Sequence, residues 1–160
     1  MSKESLTGKS IVIVDDEVDV LSTLQSMLPM CNVSLASSYD KAIYLINNKA
    51  FELAIIDIMG VNGYKLLDVC KRLNVVAVIL TAHALTIEDL QKSYNRGAAS
   101  YIPKEKMHYI DIYLRDILEA KEKGRSLWWR WLYRLGDYFE KKFGVEWKKG
   151  MPYFDNNTKT

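Results

Sequence analysis

A doubly wound α/β domain with a five-stranded parallel sheet is the fold this sequence predicts, and three observations predict it. Short apolar runs recur along the first 120 residues, among them Ile11-Val12-Ile13-Val14, Leu53-Ala54-Ile55-Ile56 and Val75-Val76-Ala77-Val78-Ile79-Leu80. Runs apolar at every position suit strands buried on both faces, as in parallel sheets sandwiched between helices. Stretches with apolar residues at helical spacing alternate with the runs, which is the βαβ pattern. Polar residues with chemistry stand directly after the runs: Asp15-Asp16, Asp57, Thr81 and Lys104.

Taken in order, the first strand ends at Val14, and Val18, Leu21, Leu24, Gln25 and Leu28 mark a helix stopped by Pro29. Val33 to Ala36 reads as a second strand, and Asp40 to Asn48 as a second helix carrying Ala42, Ile43, Leu45 and Ile46. The third strand runs up to Asp57, and a helix from Tyr64 to Leu73 follows Gly63. The fourth strand ends at Thr81, a helix spans Ile87 to Asn95 before Gly97, and Ala99 to Ile102 is the fifth strand. Met107 to Glu119 is the fifth helix, with Ile110, Tyr113, Leu114, Ile117 and Leu118 along one side. Right-handed crossovers place all five strand C-termini at one edge, where such sheets bind ligands.

Composition narrows the classes. With 160 residues, 49% apolar and 26% charged, the chain suits one core with a small appendage. No apolar stretch reaches the length of a bilayer span and the start is polar, so a cytoplasmic protein is expected. Cys31 and Cys70 have no partner at metal-ligand spacing and read as reduced, buried thiols. Residues 1–120 carry 12 basic and 15 acidic side chains, whereas residues 121–160 carry 10 and 5 together with all four tryptophans. That shift divides the chain into a domain over 9–121, an amphipathic tail over 122–150 and a polar, disordered terminus over 151–160.

The strand-end residues make a specific chemistry available. Carboxylates crowded at one edge raise each other's pKa unless a cation stands between them. Magnesium, a hard dication that takes few carboxylates and keeps positions for water and phosphate, meets that need. Asp57 can then act as nucleophile toward an activated phosphoryl group, with the Lys104 ammonium and the Thr81 hydroxyl facing the developing charge. Each residue also has a plainer role open to it: Asp15-Asp16-Glu17 as a helix cap, Asp57 as a turn residue, Thr81 as the cap of the fourth helix, Lys104 as a solvated lysine. Their joint placement at strand ends favours the chemistry.

These motifs, Val14-Asp15-Asp16-Glu17, Ile56-Asp57-Ile58-Met59 with Gly63, Leu80-Thr81-Ala82 and Tyr101-Ile102-Pro103-Lys104, resemble the receiver domain of two-component response regulators over Lys9 to Glu119. The resemblance implies a flavodoxin-like receiver fold and Asp57 as the residue phosphorylated by a histidine kinase or phosphotransfer protein. It implies Mg2+ held by Asp15, Asp16, Asp57 and the Met59 carbonyl, with Lys104 pairing the phosphate. Thr81 and Tyr101 match the switch pair, in which the hydroxyl moves to the phosphate and the ring turns inward. The implied catalysis is self-phosphorylation and autodephosphorylation on Asp57, with no separate catalytic domain. The output face would be helix four, strand five and helix five, signalling to a downstream protein target.

Three departures accompany the resemblance. The stretch from Asp57 to Gly63 lacks the usual proline and is about two residues shorter than in relatives. Glu105 stands where relatives commonly carry a proline with a cis bond, which is costly before other residues. Met59 and His83 hold the positions that adjust phosphate lifetime in relatives. A receiver that acts without phosphorylation, as a binding or dimerisation module, is the alternative these departures leave. A haloacid-dehalogenase-like phosphatase would need a second acid where Met59 stands, and a flavodoxin-like cofactor module would not place Asp15-Asp16-Glu17 at a phosphate.

In the tail, Leu127, Trp128, Trp131, Leu132, Leu135, Phe139 and Phe143 recur at helical spacing with basic residues between them. They predict an amphipathic helix continuing from the fifth helix, weakened or bent at Gly136 and stopped at Gly144. Its aromatic stripe is expected to pack on the receiver or on a second copy, the latter a homodimer through the tail or the helix four, strand five, helix five face. Membrane-surface contact is a further option. Nucleic acid is not expected, because some 40 residues are too few for a DNA-binding output domain.

Overall fold

Parallel pairing in the order β2-β1-β3-β4-β5 joins five strands: β1 (Ser10–Val14), β2 (Asn32–Ala36), β3 (Leu53–Ile56), β4 (Val76–Thr81) and β5 (Ser100–Pro103). The computed structural model describes residues 6–82, 86–124 and 127–149. Between the strands run α1 (Val18–Met27), α2 (Tyr39–Asn48), α3 (Gly63–Arg72) and α4 (Ile87–Asn95). A 3-10 helix over Lys104–Tyr109 leads into α5 (Ile110–Glu122), and α6 (Leu127–Phe143) follows. The predicted fold class is the observed one.

Ile11, Val12, Ile13 and Val14 are buried, as are Leu53 to Ile56 and Ala77 to Leu80, which is what strands covered by helices on both sides require. The helices begin where the sequence supplies acceptors. The Ser38 side chain accepts from the Lys41 N–H at 3.2 Å to start α2, and Thr86 accepts from Asp89 N–H at 3.1 Å to start α4. Thr86, and not Thr81, therefore caps α4.

β1 sits between β2 and β3, so the chain changes direction across the sheet at β1 and β3. A crevice forms at the carboxyl ends of strands flanking such a reversal. Asp15 and Asp57 directly follow those two strands, paired in register at Val14 and Ile56.

Two expectations need correction. Residues Met107 to Tyr109 belong to the 3-10 helix, so α5 starts at Ile110 and runs on to Glu122. Nor does the tail continue α5. Gly124 takes φ +65, a conformation open to glycine, and α6 starts separately at Leu127. Burial explains the break: Trp128, Trp131, Leu135 and Phe139 are buried in the same core as β5 and α5, whereas a continuous helix would carry that apolar face out into solvent. α6 is continuous through Gly136 and stops before Gly144, whose φ is +91.

No helix among the described residues is long and apolar enough to cross a membrane. His83 and residues 151–160 lie outside the described residues.

Candidate functional site

The sheet ladder carries straight into the site. The Asp15 N–H donates to Ala36 O at 3.1 Å and the Asp57 N–H to Val14 O at 3.0 Å, so both aspartates are still held by strand-type bonds as their side chains leave the sheet. Thr81 is the last residue of β4 and pairs in register with Pro103, the last of β5. Lys104 follows immediately. Asp15, Asp57 and Thr81 are 2%, 6% and 1% exposed, which puts the acids in a crevice and not on a solvated rim.

One ammonium ties the edge together. Lys104 Nζ stands 2.8 Å from Asp15 Oδ2 and 3.3 Å from both Asp57 Oδ2 and Glu17 Oε1. Burial alone would lower the lysine pKa, but the bond to Asp15 and the charges of Asp57 and Asp15 outweigh it and hold the ammonium form firmly. Burial also pushes the Asp15 carboxyl above its usual range; Lys104 and the Glu17 N–H oppose this, and the charge of Asp57 adds to it. The two buried carboxylates of Asp15 and Asp57 and the exposed one of Glu17 thus share the Lys104 ammonium.

The remaining acids set the hard-oxygen character of the edge. Ligand atoms of Asp15, Asp16 and Glu17 lie within 4.8 Å of one another. Asp16 is exposed, but it abuts the loop after β3: a Cβ on Gly60 would lie 2.3 Å from Asp16 Oδ2. Gly60 has φ +79, so this close approach is open to glycine alone. Gly63 opens α3 so tightly that a Cβ there would lie 2.3 Å from the Asp57 carbonyl oxygen. The loop therefore turns on two glycines, with Met59 one residue before the contact to Asp16. A set of carboxylate oxygens with one competing ammonium fits a hard dication such as magnesium and does not fit a thiophilic metal.

Of the sequence-predicted residues, the structure brings Asp15, Asp57 and Lys104 into direct contact and places Asp16 beside them across Gly60. Thr81 is buried at the same edge, and the Met59 side chain is 50% exposed in the loop. Tyr101 is turned inward at 1% exposure. Its phenol is pushed up by burial and then by the charges of Asp89, Tyr64 and Asp57. Asp15 does not cap α1, whose N-cap Glu17 makes no side-chain cap bond; its Oδ1 accepts the Glu17 N–H at 2.9 Å in the turn before the helix. Sequence reading missed Glu17 as a partner of Lys104, although it completes the acidic triplet after β1. It also missed Glu105, which accepts from the Tyr138 hydroxyl of α6, and Asp116, which pairs with Arg134. The peptide bonds of the Lys104 loop are trans.

Residues 11–112 match the model of the response regulator receiver domain family. Among solved structures, a CheY-like receiver domain protein from Methanospirillum hungatei is 27% identical, with a TM-score of 0.67 over 74% of this chain and 99% of that one. NtrX from Brucella abortus is 26% identical, with a TM-score of 0.61 over 73% of this chain and 28% of that one. DrrB, an OmpR/PhoB homologue from Thermotoga maritima, is 20% identical and shares the fold, with a TM-score of 0.62 over 75% of this chain and 55% of that one. No protein of curated function matches the chain.

Proposed function

The chain belongs to the response regulator receiver domain family of two-component systems, and from that premise we propose that Asp57 accepts a phosphoryl group from a histidine kinase or phosphotransfer protein. Asp15, Asp16, Asp57 and the Met59 carbonyl would hold magnesium, which supplies charge neutralisation and a fixed phosphoryl oxygen. An Asp57 carboxylate oxygen attacks phosphorus, the bond from phosphorus to the donor histidine nitrogen breaks, and the electron pair leaves with that nitrogen. Lys104 follows the charge from the carboxylate to the phosphoryl oxygens, and the Thr81 hydroxyl donates to one of them.

The observation that carries this reading is the single ammonium, 2.8 Å from Asp15 and 3.3 Å from Asp57, delivered from the ends of three different strands. This ammonium offsets the repulsion between two buried carboxylates and keeps them side by side. Receiver domains act through kinases and downstream effectors, and here the output is a protein contact. Incubation with acetyl phosphate and magnesium, followed by intact-mass measurement, should show one phosphoryl group gained, and none on Asp57→Asn. A parent protein that gains none is instead a phosphorylation-independent binding module.

A further inference from the structure

By folding back on the domain, α6 builds one wall of a cavity of about 550 Å³ whose other wall is the 3-10 helix and the first turn of α5. Trp128 Nε1 donates to the Ala98 carbonyl at 2.8 Å and Trp131 Nε1 to the Tyr101 carbonyl at 2.6 Å, which fixes the inner side of α6. The family match ends at residue 112, and most of the lining, from Tyr113 to Lys141, lies beyond it. None of the residues of the carboxyl edge lines the cavity.

The lining has two chemical characters. Ile112, Tyr113 and Leu135 supply apolar surface, the last two only 7% and 1% exposed. Tyr109 is 52% exposed at the cavity, a ring with a face open to a ligand. The Tyr138 hydroxyl is taken by Glu105, so Tyr138 offers its ring, with Lys106 Nζ 5.6 Å from the centroid. Arg134 is committed to Asp116. Lys106 and Lys141, by contrast, have no carboxylate partner among the described residues. Against these two ammonium groups the lining sets one acid, Asp137.

Tyrosine rings beside uncommitted cations suit a ligand that is flat and aromatic at one end and anionic at the other. A ring stacks on tyrosine, and an ammonium pairs a phosphate as a point charge. An aliphatic anion would use the apolar surface and leave the open Tyr109 ring unused. The volume lies within the range of small-molecule sites, about 300–1,000 Å³. Strand binding needs a groove with rings and cations repeated along it, and this cavity has room for about one nucleotide. We infer that the cavity between α5 and α6 is a binding site for a free nucleoside diphosphate, its phosphates on Lys106 and Lys141 and its base on Tyr109. Asp137 supplies an acceptor for an exocyclic amine, which adenine carries. The site is independent of the phosphoacceptor role proposed for Asp57.

The test is equilibrium dialysis of the full-length protein against ADP in EDTA, where the acids of the carboxyl edge have no metal through which to take a phosphate. The expected result is one site with a Kd of about 10–100 μM, unchanged in Asp57→Asn. Adenosine and inorganic pyrophosphate each carry half of the recognition and should bind at least about tenfold more weakly. Lys106→Gln and Lys141→Gln should each weaken ADP about fivefold and flatten its salt dependence, with Tm unchanged. Tyr109→Ala should weaken ADP about fivefold and keep the salt dependence. Absence of ADP binding up to about 1 mM overturns the proposal. So does an unaltered ADP affinity in the double variant Lys106→Gln, Lys141→Gln, or adenosine bound as tightly as ADP. Oligodeoxyadenylate bound more tightly than ADP also overturns it and assigns the surface to nucleic acid.

Discussion

The carboxyl edge and the aromatic face lie on either side of one dipeptide, Lys104-Glu105, and are built by opposite means. At the edge, residues following β1 and β3 bring three carboxylates around one ammonium that follows β5. At the face, a continuous helix, α6, sets rings and indole donors against β5 and α5. The edge holds like charges together, a local conflict that the rest of the sheet must stabilise. The face buries Trp128, Trp131 and Phe139, and these rings add to the core. The comparison teaches that the proposed phosphoacceptor site sits where the fold is under electrostatic tension, and that the tail is attached to the residue beside it.

Truncation at the face should have the largest effect on stability. Phe139→Ala removes a fully buried ring and should cost about 4 kcal/mol in urea unfolding. A loss below about 1 kcal/mol would mean that α6 is not part of the core. At the edge, Lys104→Gln should slow phosphoryl gain about a hundredfold, some 3 kcal/mol of transition-state stabilisation. The same variant leaves its carboxylates without an internal cation, so magnesium should raise its Tm more than that of the parent; equal shifts would show that Lys104 is not what neutralises the edge.

Smaller effects sharpen the contrast. Gly60→Ala places a Cβ against Asp16 at a φ of +79 and should cost about 1–2 kcal/mol while weakening magnesium binding by calorimetry. Unchanged magnesium affinity would detach the loop from the site. For the face, burial and then the Glu105 carboxylate push the Tyr138 phenol up to about 12 from 10.0. A raised folded-state pKa means its contribution is complete below the ordinary tyrosine range and is lost as pH climbs through 10 toward about 12. Tryptophan emission should therefore show a small alkaline loosening of the tail, missing in Tyr138→Phe.

The edge was legible because each of its residues is placed by the apolar run before it. Once Ile11 to Val14 and Leu53 to Ile56 are parallel strands, Asp15 and Asp57 can only emerge at the same end. Glu17 was harder to read, since it belongs to no strand and reaches Lys104 only through the turn that follows β1. Glu105 showed itself as a departure from the family, but nothing along the chain says that its partner is Tyr138, because the two meet only when α6 folds back.

Sequence alone determined the alternation of strands and helices, the gathering of acids at one edge of the sheet, and the existence of an aromatic helix in the tail. Those follow from local periodicity and from the polarity of single positions, which do not depend on distant residues. Tertiary structure decided that the tail turns back after Gly124 instead of prolonging α5, that Trp128 and Trp131 donate to the Ala98 and Tyr101 carbonyls, and that one lysine bridges three acids. Such choices rest on burial and charge pairing between segments far apart in the chain, and their energies exist only once the packed surfaces meet.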